Sequence, residues 1–319
     1  MIRKEKMTET TREIFEKYEV RKTKRQKKKF RKYIKALASK QGYTVKEEKG
    51  YLGARNVIIG DPDRAKVIYT AHYDTCPRLP FPNFITPKNF LIYLLYQMLL
   101  MVFIFALMIL FGVVVGVVLG IIGSFVELPA VVLELATPFV MLGTLFLLLC
   151  GPANKHTAND NTSGVTTLVD IMMTLPKAER EKVAFVFFDL EEMGMWGSMG
   201  FASKHKNSLA KKLVLNFDCV SDGQTILFAV NKSARGFVPL LKSAFQSTDD
   251  LQVNIATRGC FYPSDNMSVP CGVGVAALKK SKLLKILYMD RIHTKKDTVY
   301  REENIAYLKE GSIRLLREF

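Results

Sequence analysis

Short apolar runs that stop at an acid recur along this chain. Val183 to Phe188 is built of Val, Ala and Phe and ends at Asp189. A run of that length and composition, closed by turn residues, reads as a parallel strand buried on both faces. Lys66 to Tyr69 leads in the same way into Ala71-His72-Tyr73-Asp74, and Leu213 to Phe217 leads into Asp218. Tyr43 to Lys46, Arg55 to Ile59, Thr225 to Val230, Val275 to Leu278 and Leu283 to Tyr288 are further short strands, and Gly53 and Gly60-Asp61-Pro62-Asp63 supply turns. Apolar positions at helical spacing alternate with them, over 8–40, Val165 to Leu175, Gly197 to Lys206, Phe237 to Gln246 and Glu302 to Glu318. This alternation predicts an α/β chain: a three-layer α/β/α sandwich with a mixed sheet.

The pattern breaks once. Between Lys88 and Lys155 the only charged side chains are Glu127 and Glu134. Phe90 to Val126 is one apolar run, and Leu128 to Cys150 is a second, interrupted by Glu134 and Pro138. Either exceeds the roughly 20 residues that cross a hydrocarbon core. The chain therefore divides into a basic helical segment (1–42), the first part of a catalytic domain (43–87), an inserted transmembrane hairpin (88–150) and the remainder of the catalytic domain (151–319). The first run is too long for one crossing, at about 55 Å of helix against a core of ~30 Å. Tilt, extension beyond the lipid or a break near Gly112 each accommodates it. Gly112, Gly116 and Gly120 give one smooth helix face, for the second span or for another subunit. Glu134 is read as lying near the outer interface rather than in lipid.

Charge adds orientation. The 319 residues carry a formal net charge of +16. Arg78, Lys88 and Lys155 flank the insertion, and the turn at Glu127-Leu128-Pro129 has no Lys or Arg. By the positive-inside tendency the catalytic side faces the cytoplasm. Arg21 to Lys40 holds eleven Lys or Arg and no acid, with Phe30, Tyr33, Ile34 and Leu37 at helical spacing. This basic amphipathic helix suits an anionic membrane surface, or it packs its stripe on the catalytic domain and exposes a solvated face. Nucleic acid is disfavoured, because no base-stacking motif accompanies the basic run. Cys76, Cys150, Cys219, Cys260 and Cys271 are odd in number and lack paired spacing, which argues against a disulfide framework; Cys219 reads as a small buried hydrophobe. Met1 to Tyr18 is charged throughout and has no signal-peptide core. His156 and His205 lie in no motif and read as surface or local-structure residues.

The acids at the strand ends call for a partner. Glu191 and Glu192 follow Asp189 at a strand's carboxyl end, where open α/β sheets place ligands. Uncompensated, they are costly there, and a metal is the simplest compensation. His72 and Asp74 are two apart on an extended chain, so Asp74 is placed to orient a ligating His72. Asp160 lies in Ala158-Asn159-Asp160-Asn161-Thr162-Ser163-Gly164, just before a helix, and His293 opens Ile292-His293-Thr294-Lys295-Lys296-Asp297-Thr298.

His-x-Asp, Asn-Asp-Asn-x-Ser-Gly, Glu-Glu-x-Gly-x-x-Gly-Ser, Asn-x-Asp and His-Thr-x-x-Asp-Thr occur here in one order. In that order they resemble the di-zinc aminopeptidases, a family of secreted bacterial leucine-type enzymes with glutamate carboxypeptidase and glutaminyl cyclase as relatives. The likeness covers roughly residues 40–80 and 151–319. It implies that His72 and Asp218 hold one zinc, Glu192 and His293 the other, and that Asp160 bridges them. Glu191 is then the general base rather than a ligand, and the substrate is a peptide with a free N-terminus. Nitrogen and oxygen donors suit two zinc ions, and other divalent metals fit the same set. One departure is visible: where the family commonly has Ser-Asp-His, this chain has Ser264-Asp265-Asn266. The expected activity is a membrane-anchored metallo-aminopeptidase. The alternatives are a glutaminyl-cyclase-like acyltransferase, a branch that works with one zinc, and a non-catalytic membrane scaffold or transport component. Because His72 and Asp160 must meet at one centre, any membrane crossings between them must be even in number, and two is the natural count.

Overall fold

The computed structural model describes residues 7–127 and 129–319, without the side chains of residues 130, 133, 137 and 149. Leu128 of the predicted hairpin turn and residues 1–6 of the charged N-terminal stretch lie outside the described residues.

Two helices open the chain, α1 (Glu9–Tyr18) and α2 (Lys24–Lys40). The single helix expected over 8–40 is divided because Thr23 starts a new one. Its hydroxyl accepts from the Gln26 amide N–H while the Gln26 side chain accepts from the Thr23 N–H, a reciprocal cap. Strands β1 (Val45–Lys49), β2 (Arg55–Ile59) and β3 (Val67–His72) follow, then α3 (Phe90–Gly123), α4 (Ala130–Cys150) and α5 (Gly164–Thr174). After these come β4 (Val183–Phe188), α6 (Trp196–Lys204), α7 (Lys206–Leu209), β5 (Leu213–Phe217), β6 (Thr225–Val230) and α8 (Val238–Ala244). The chain closes with β7 (Gln252–Ala256), β8 (Gly272–Lys280), β9 (Leu287–Tyr288) and α9 (Glu302–Arg317). Strand β7 has no counterpart in the sequence reading: its burial pattern is mixed, with Gln252 exposed and Asn254 among its residues, so it lacks the continuous apolar signature of its neighbours.

Among the described residues the strands form one mixed sheet in the order β1-β2-β4-β3-β5-β8-β6-β7, with β9 beside β8. The centre is parallel: β4, β3 and β5 run together, with His72 in register with Phe188. The chain passes from β3 to β4 on one side and then to β5 on the other, so the strand order reverses around β3, and ligand sites form outside such reversals. Residues alternate across the sheet. Val67, Tyr69 and Ala71 join the large core under α1, α2, α5, α8 and α9, while Ile68, Ala184, Val186 and Phe188 pack with Phe201 and Leu209 of α6 and α7. The architecture is the expected three-layer sandwich.

The stripe of α2 is spent on this core. Phe30, Ile34 and Ala38 are buried, and Phe30 stacks on Tyr73 at 5.4 Å. Each large side chain so buried contributes about 1.5–3 kcal/mol, which is why the helix docks despite its charge.

Helix α3 runs unbroken over 34 residues with a mean hydropathy of 3.2 in its most apolar window, long and apolar enough to cross a membrane. Most of its residues are exposed and several, including Tyr93, Tyr96 and Gln97, are half-buried; among its described side chains only Met108 is buried, against α4. Among the described residues a Cβ placed on Gly116 or Gly120 meets nothing within 4 Å, whereas Gly112 lines a hollow with Met141 of α4.

Candidate metal centre

Three neighbouring strands deliver the site. His72 ends β3, Asp218 follows β5, and Asp189 to Glu192 follow β4, all at the carboxyl ends of the central parallel strands. The β4 turn is held from behind. Asp189 accepts from Lys27 Nζ (2.7 Å), from the Arg55 amide (3.0 Å) and from the Leu190 amide (3.0 Å). Leu190 and Met195 both have positive φ, and the Glu191 carbonyl accepts from the Gly194 and Met195 amides, so the turn is tight. Asp74 fixes its front: one carboxylate oxygen accepts from the Glu191 amide (3.1 Å) and the other from the Glu192 amide (3.3 Å).

Asp74 therefore holds the glutamate turn in addition to facing the imidazole as read from the spacing. His72 Nδ1 lies 3.2 Å from the Asp74 carbonyl oxygen and 3.7 Å from its carboxylate. The nearer partner is the backbone carbonyl, and the carboxylate, which also takes the two glutamate amides, stands behind it.

The Asp160 loop is equally constrained. Asp297 takes the Asn159 amide on one oxygen (2.7 Å) and the Asp160 amide on the other (3.0 Å). Asn161 donates to the Phe217 carbonyl (3.0 Å) and accepts from the Gly164 and Cys219 amides, joining the β5 end to the start of α5. A Cβ on Gly164 would lie 2.2 Å from the Phe217 carbonyl oxygen, so only glycine fits there. The Asp160–Asn161 peptide is cis.

With these supports, the side chains converge. His72 Nε2 is 3.3 Å from Asp160 Oδ1 and 3.4 Å from Asp218 Oδ1. His293 Nε2 is 2.9 Å from Asp160 Oδ2 and 3.1 Å from Glu192 Oε2. The two oxygens of Asp160 thus face different histidines. Glu191 Oε2 stands 4.0 Å from His72 Nε2. Seven candidate residues from the sequence, His72, Asp74, Asp160, Glu191, Glu192, Asp218 and His293, meet at one place. Lining a cavity of about 240 Å³ beside them are Tyr262 and Pro263 and, from α3, Tyr93 and Gln97.

The electrostatics are severe. Burial, reinforced by Asp218, Asp265 and Glu192 against the opposing pull of His72, pushes the Glu191 carboxyl well above the usual range. Burial also raises Glu192, which Asp160 reinforces and His293 opposes. Asp160 is held low in spite of burial because His293 and His72 flank it. Both imidazoles are raised against burial, His72 chiefly by Glu191 and His293 chiefly by Glu192. Glu192 Oε1 is buried with no hydrogen-bond partner. So many carboxylates around two imidazoles, with a buried oxygen left over, match what divalent cations would satisfy. Four donor sets lie within mutual reach among the described residues: His72 with Asp218 and Glu191, His72 with Asp160 and Glu192, Cys76 with Glu192 and His293, and Asp160 with Asp218 and Cys219. The residues fit a metal centre of nitrogen and oxygen donors.

Several contributors escaped the sequence reading. Asp265 is buried beside Glu191 and pushed up to about 7 by burial; Ser198 faces it, but neither of its oxygens makes a hydrogen bond of good geometry. Its signal was the Ser264-Asp265-Asn266 motif, noted only as a departure. Cys76 was placed by no motif. Arg21 is fully buried, donates to the carbonyls of Tyr73 and Tyr18 and to Thr162 Oγ1, and is pulled down to about 10 by burial. It ties the end of β3 to the Asp160 loop, yet in sequence it was one cation in a basic run.

Several solved structures share this fold. The LapA aminopeptidase of Legionella pneumophila is 14% identical, with 97% of this chain and 69% of that one aligned at a TM-score of 0.56. A glutaminyl cyclase of Porphyromonas gingivalis is 16% identical over 97% of this chain and 95% of its own, at 0.57. A leucine aminopeptidase precursor from Bacteroides thetaiotaomicron is 12% identical over 97% and 94%, at 0.53. No curated protein sequence matches the chain. The model of peptidase family M28 matches residues 143–311, more than half of the chain and everything from the end of α4 into α9. With a fold shared with aminopeptidases and glutaminyl cyclases and a strand-end cluster of candidate metal donors, the chain belongs to peptidase family M28, a zinc-dependent family of hydrolases.

Proposed function

We propose that the protein is a membrane-anchored aminopeptidase that removes N-terminal residues from peptides. The observation that carries this reading is the split of Asp160 between His72 and His293, with Glu191 and Glu192 alongside. That arrangement provides donors on both sides of one carboxylate, as a pair of zinc ions needs. His72 and Asp218 would hold one, Glu192 and His293 the other. When bound, such a pair polarises a carbonyl and lowers the pKa of a water to about 7.

The chain's own groups do the rest. Glu191 is held by the Asp74–amide bond with its carboxyl beside the cavity, and its carboxylate accepts the proton of an attacking water. The water oxygen bonds to the peptide carbonyl carbon, the C–N bond breaks, and Glu191 passes its proton to the departing amine. Donors on both sides of Asp160 favour hydrolysis over a one-metal cyclisation. The insertion anchors the catalytic domain with α3 and α4 as an even pair of crossings and the domain facing the cytoplasm. The exposed face of α2, with Lys24, Arg25, Lys28, Lys29 and Lys32, is offered to anionic headgroups.

The test is metal content and activity measured on the full chain beside Glu191→Gln. The variant should keep its metal and lose activity on aminoacyl anilides by about 10²–10⁴-fold, the usual contribution of a general base. Equal activity in the two proteins would remove Glu191 from this role. Turnover of N-terminal glutaminyl peptides to the cyclised product, with anilides untouched, would favour the acyltransferase instead.

A further inference from the structure

Helix α3 is longer than a membrane requires, and its surplus sits at the active site. A core of ~30 Å takes about 20 residues, so a helix of 34 residues leaves about 14 outside when its C-terminal end is the far side. Those first turns are where α3 meets the catalytic domain. Tyr93 and Gln97, one turn apart on the same face, line the cavity that holds Asp160, Glu191 and His293. Around them, Tyr93 and Phe90 pack on Phe261, Tyr96 packs on Phe84 and donates to the Pro82 carbonyl, and Phe103 packs on Phe81. Phe103 is the last of these ring contacts along α3. The loop between β3 and α3 also reaches the site, with Asn83 3.4 Å from His293 Nδ1 and the Leu79 amide donating to the His293 carbonyl.

A tether would need none of this. The helix that enters the bilayer is here a wall of the catalytic cavity, joined to it by a collar of aromatic rings. From Gln97 to the start of the last 20 residues of α3 is about 10 Å along the axis, at ~1.5 Å per residue. The cavity therefore opens just above the headgroup zone, and about 3–4 extended residues at ~3.3 Å each would span the gap.

We infer that the substrate is a peptide anchored in the same bilayer by its own apolar segment, whose free N-terminus rises beside α3 into the cavity walled by Tyr93 and Gln97. The inference rests on the aminopeptidase reading and narrows its substrate class.

The experiment uses the full chain in phosphatidylcholine vesicles. One set of peptides carries a common N-terminal sequence joined to a 20-residue Leu/Ala anchor through spacers of 1, 4, 8 and 16 residues. A water-soluble peptide with the same N-terminus is the reference. Cleavage should be at least ten-fold slower at a spacer of 1 than at 4, and should fall again toward 16 as the end wanders farther from the cavity. A second protein with seven helix-forming polar residues (Glu-Ala-Gln-Lys-Ala-Gln-Ala) inserted after Phe103 and again after Cys150, so that α3 and α4 lengthen together, keeps the wall and its facing while lifting the domain by about 10 Å. It should cleave the soluble peptide as the parent does, and should move the best spacer from 4 toward 8. Cleavage independent of spacer length, in a parent chain that cleaves the soluble peptide, overturns the inference alone. No cleavage of any peptide overturns the aminopeptidase reading and the inference with it.

Discussion

His205 shows how a residue outside every motif is fixed by its surroundings. Its ring lies between two carboxylates, Nδ1 3.0 Å from Asp63 and Nε2 3.2 Å from Glu48, and packs on Phe201 at 4.5 Å. The Glu48 hydrogen bond, with Asp63 behind it, raises its pKa above 6.5 against burial. A raised folded-state pKa stabilises the fold fully below about pH 6.5, and that contribution is lost as pH climbs through the folded value. His205→Gln should therefore lower stability by about 1.5–3 kcal/mol at pH 6, as expected for hydrogen bonds to charged groups. The gap in urea midpoints should narrow by pH 9; a gap that widens with pH would refute the ion-pair account. At this scale the sequence was legible where chemistry is tied to strand ends. His72, Asp160, Glu191, Glu192, Asp218 and His293 were all named from motif and context. It was mute where a residue's part depends on a distant segment: nothing near Arg21 announces Thr162, and nothing near Tyr93 or Gln97 announces His293.

Among the elements, α2 carries the sharpest change between pattern and structure. Eleven cations and no acid from Arg21 to Lys40 suggested a face for lipid. In the fold, Lys27 and Arg31 are buried. Lys27 pairs with Asp189, and Arg31 donates to the Tyr73 hydroxyl (2.8 Å) and sits 3.4 Å from Glu47. The apolar spacing of Phe30, Ile34 and Ala38 foretold the docked face, but no property of the helix alone tells which lysine finds an acid. The consequence reaches the site, since Asp189 also accepts from Leu190, the residue before Glu191. Lys27→Met should cost about 3–5 kcal/mol by leaving a buried carboxylate without its cation. In Lys27→Met/Asp189→Asn the loss should be smaller than the sum of the two single changes by more than about 1 kcal/mol, the mark of a direct pair. Urea unfolding of the four proteins measures this cycle, and additive losses would show that the pair is not coupled.

For the whole molecule, the decisive constraint is that the chain leaves the catalytic domain after β3 and returns before Asp160. His72 and Asp160 are 3.3 Å apart, so the insertion begins and ends at one centre. If α3 crosses a bilayer, the chain must cross back, and α4, packed on α3, is the segment placed to do so. The turn then lies on the far side. That turn has Glu127 and no Lys or Arg, whereas Arg78, Lys88 and Lys155 flank the near side, and positive flanks stay in the cytoplasm. The prediction is read by labelling single cysteines in intact cells. In a chain with Cys150→Ser and Cys260→Ser, the three remaining thiols, Cys76, Cys219 and Cys271, are buried. Ser124 and Lys177 are both exposed, the first at the end of α3 and the second on the catalytic domain. A membrane-impermeant maleimide should label Ser124→Cys in intact cells and Lys177→Cys only after lysis. The reverse pattern would turn the catalytic domain outward. Labelling of both from the same side would mean that α3 lies along the membrane or against a partner without crossing, and the spacer dependence of cleavage would lose its physical basis.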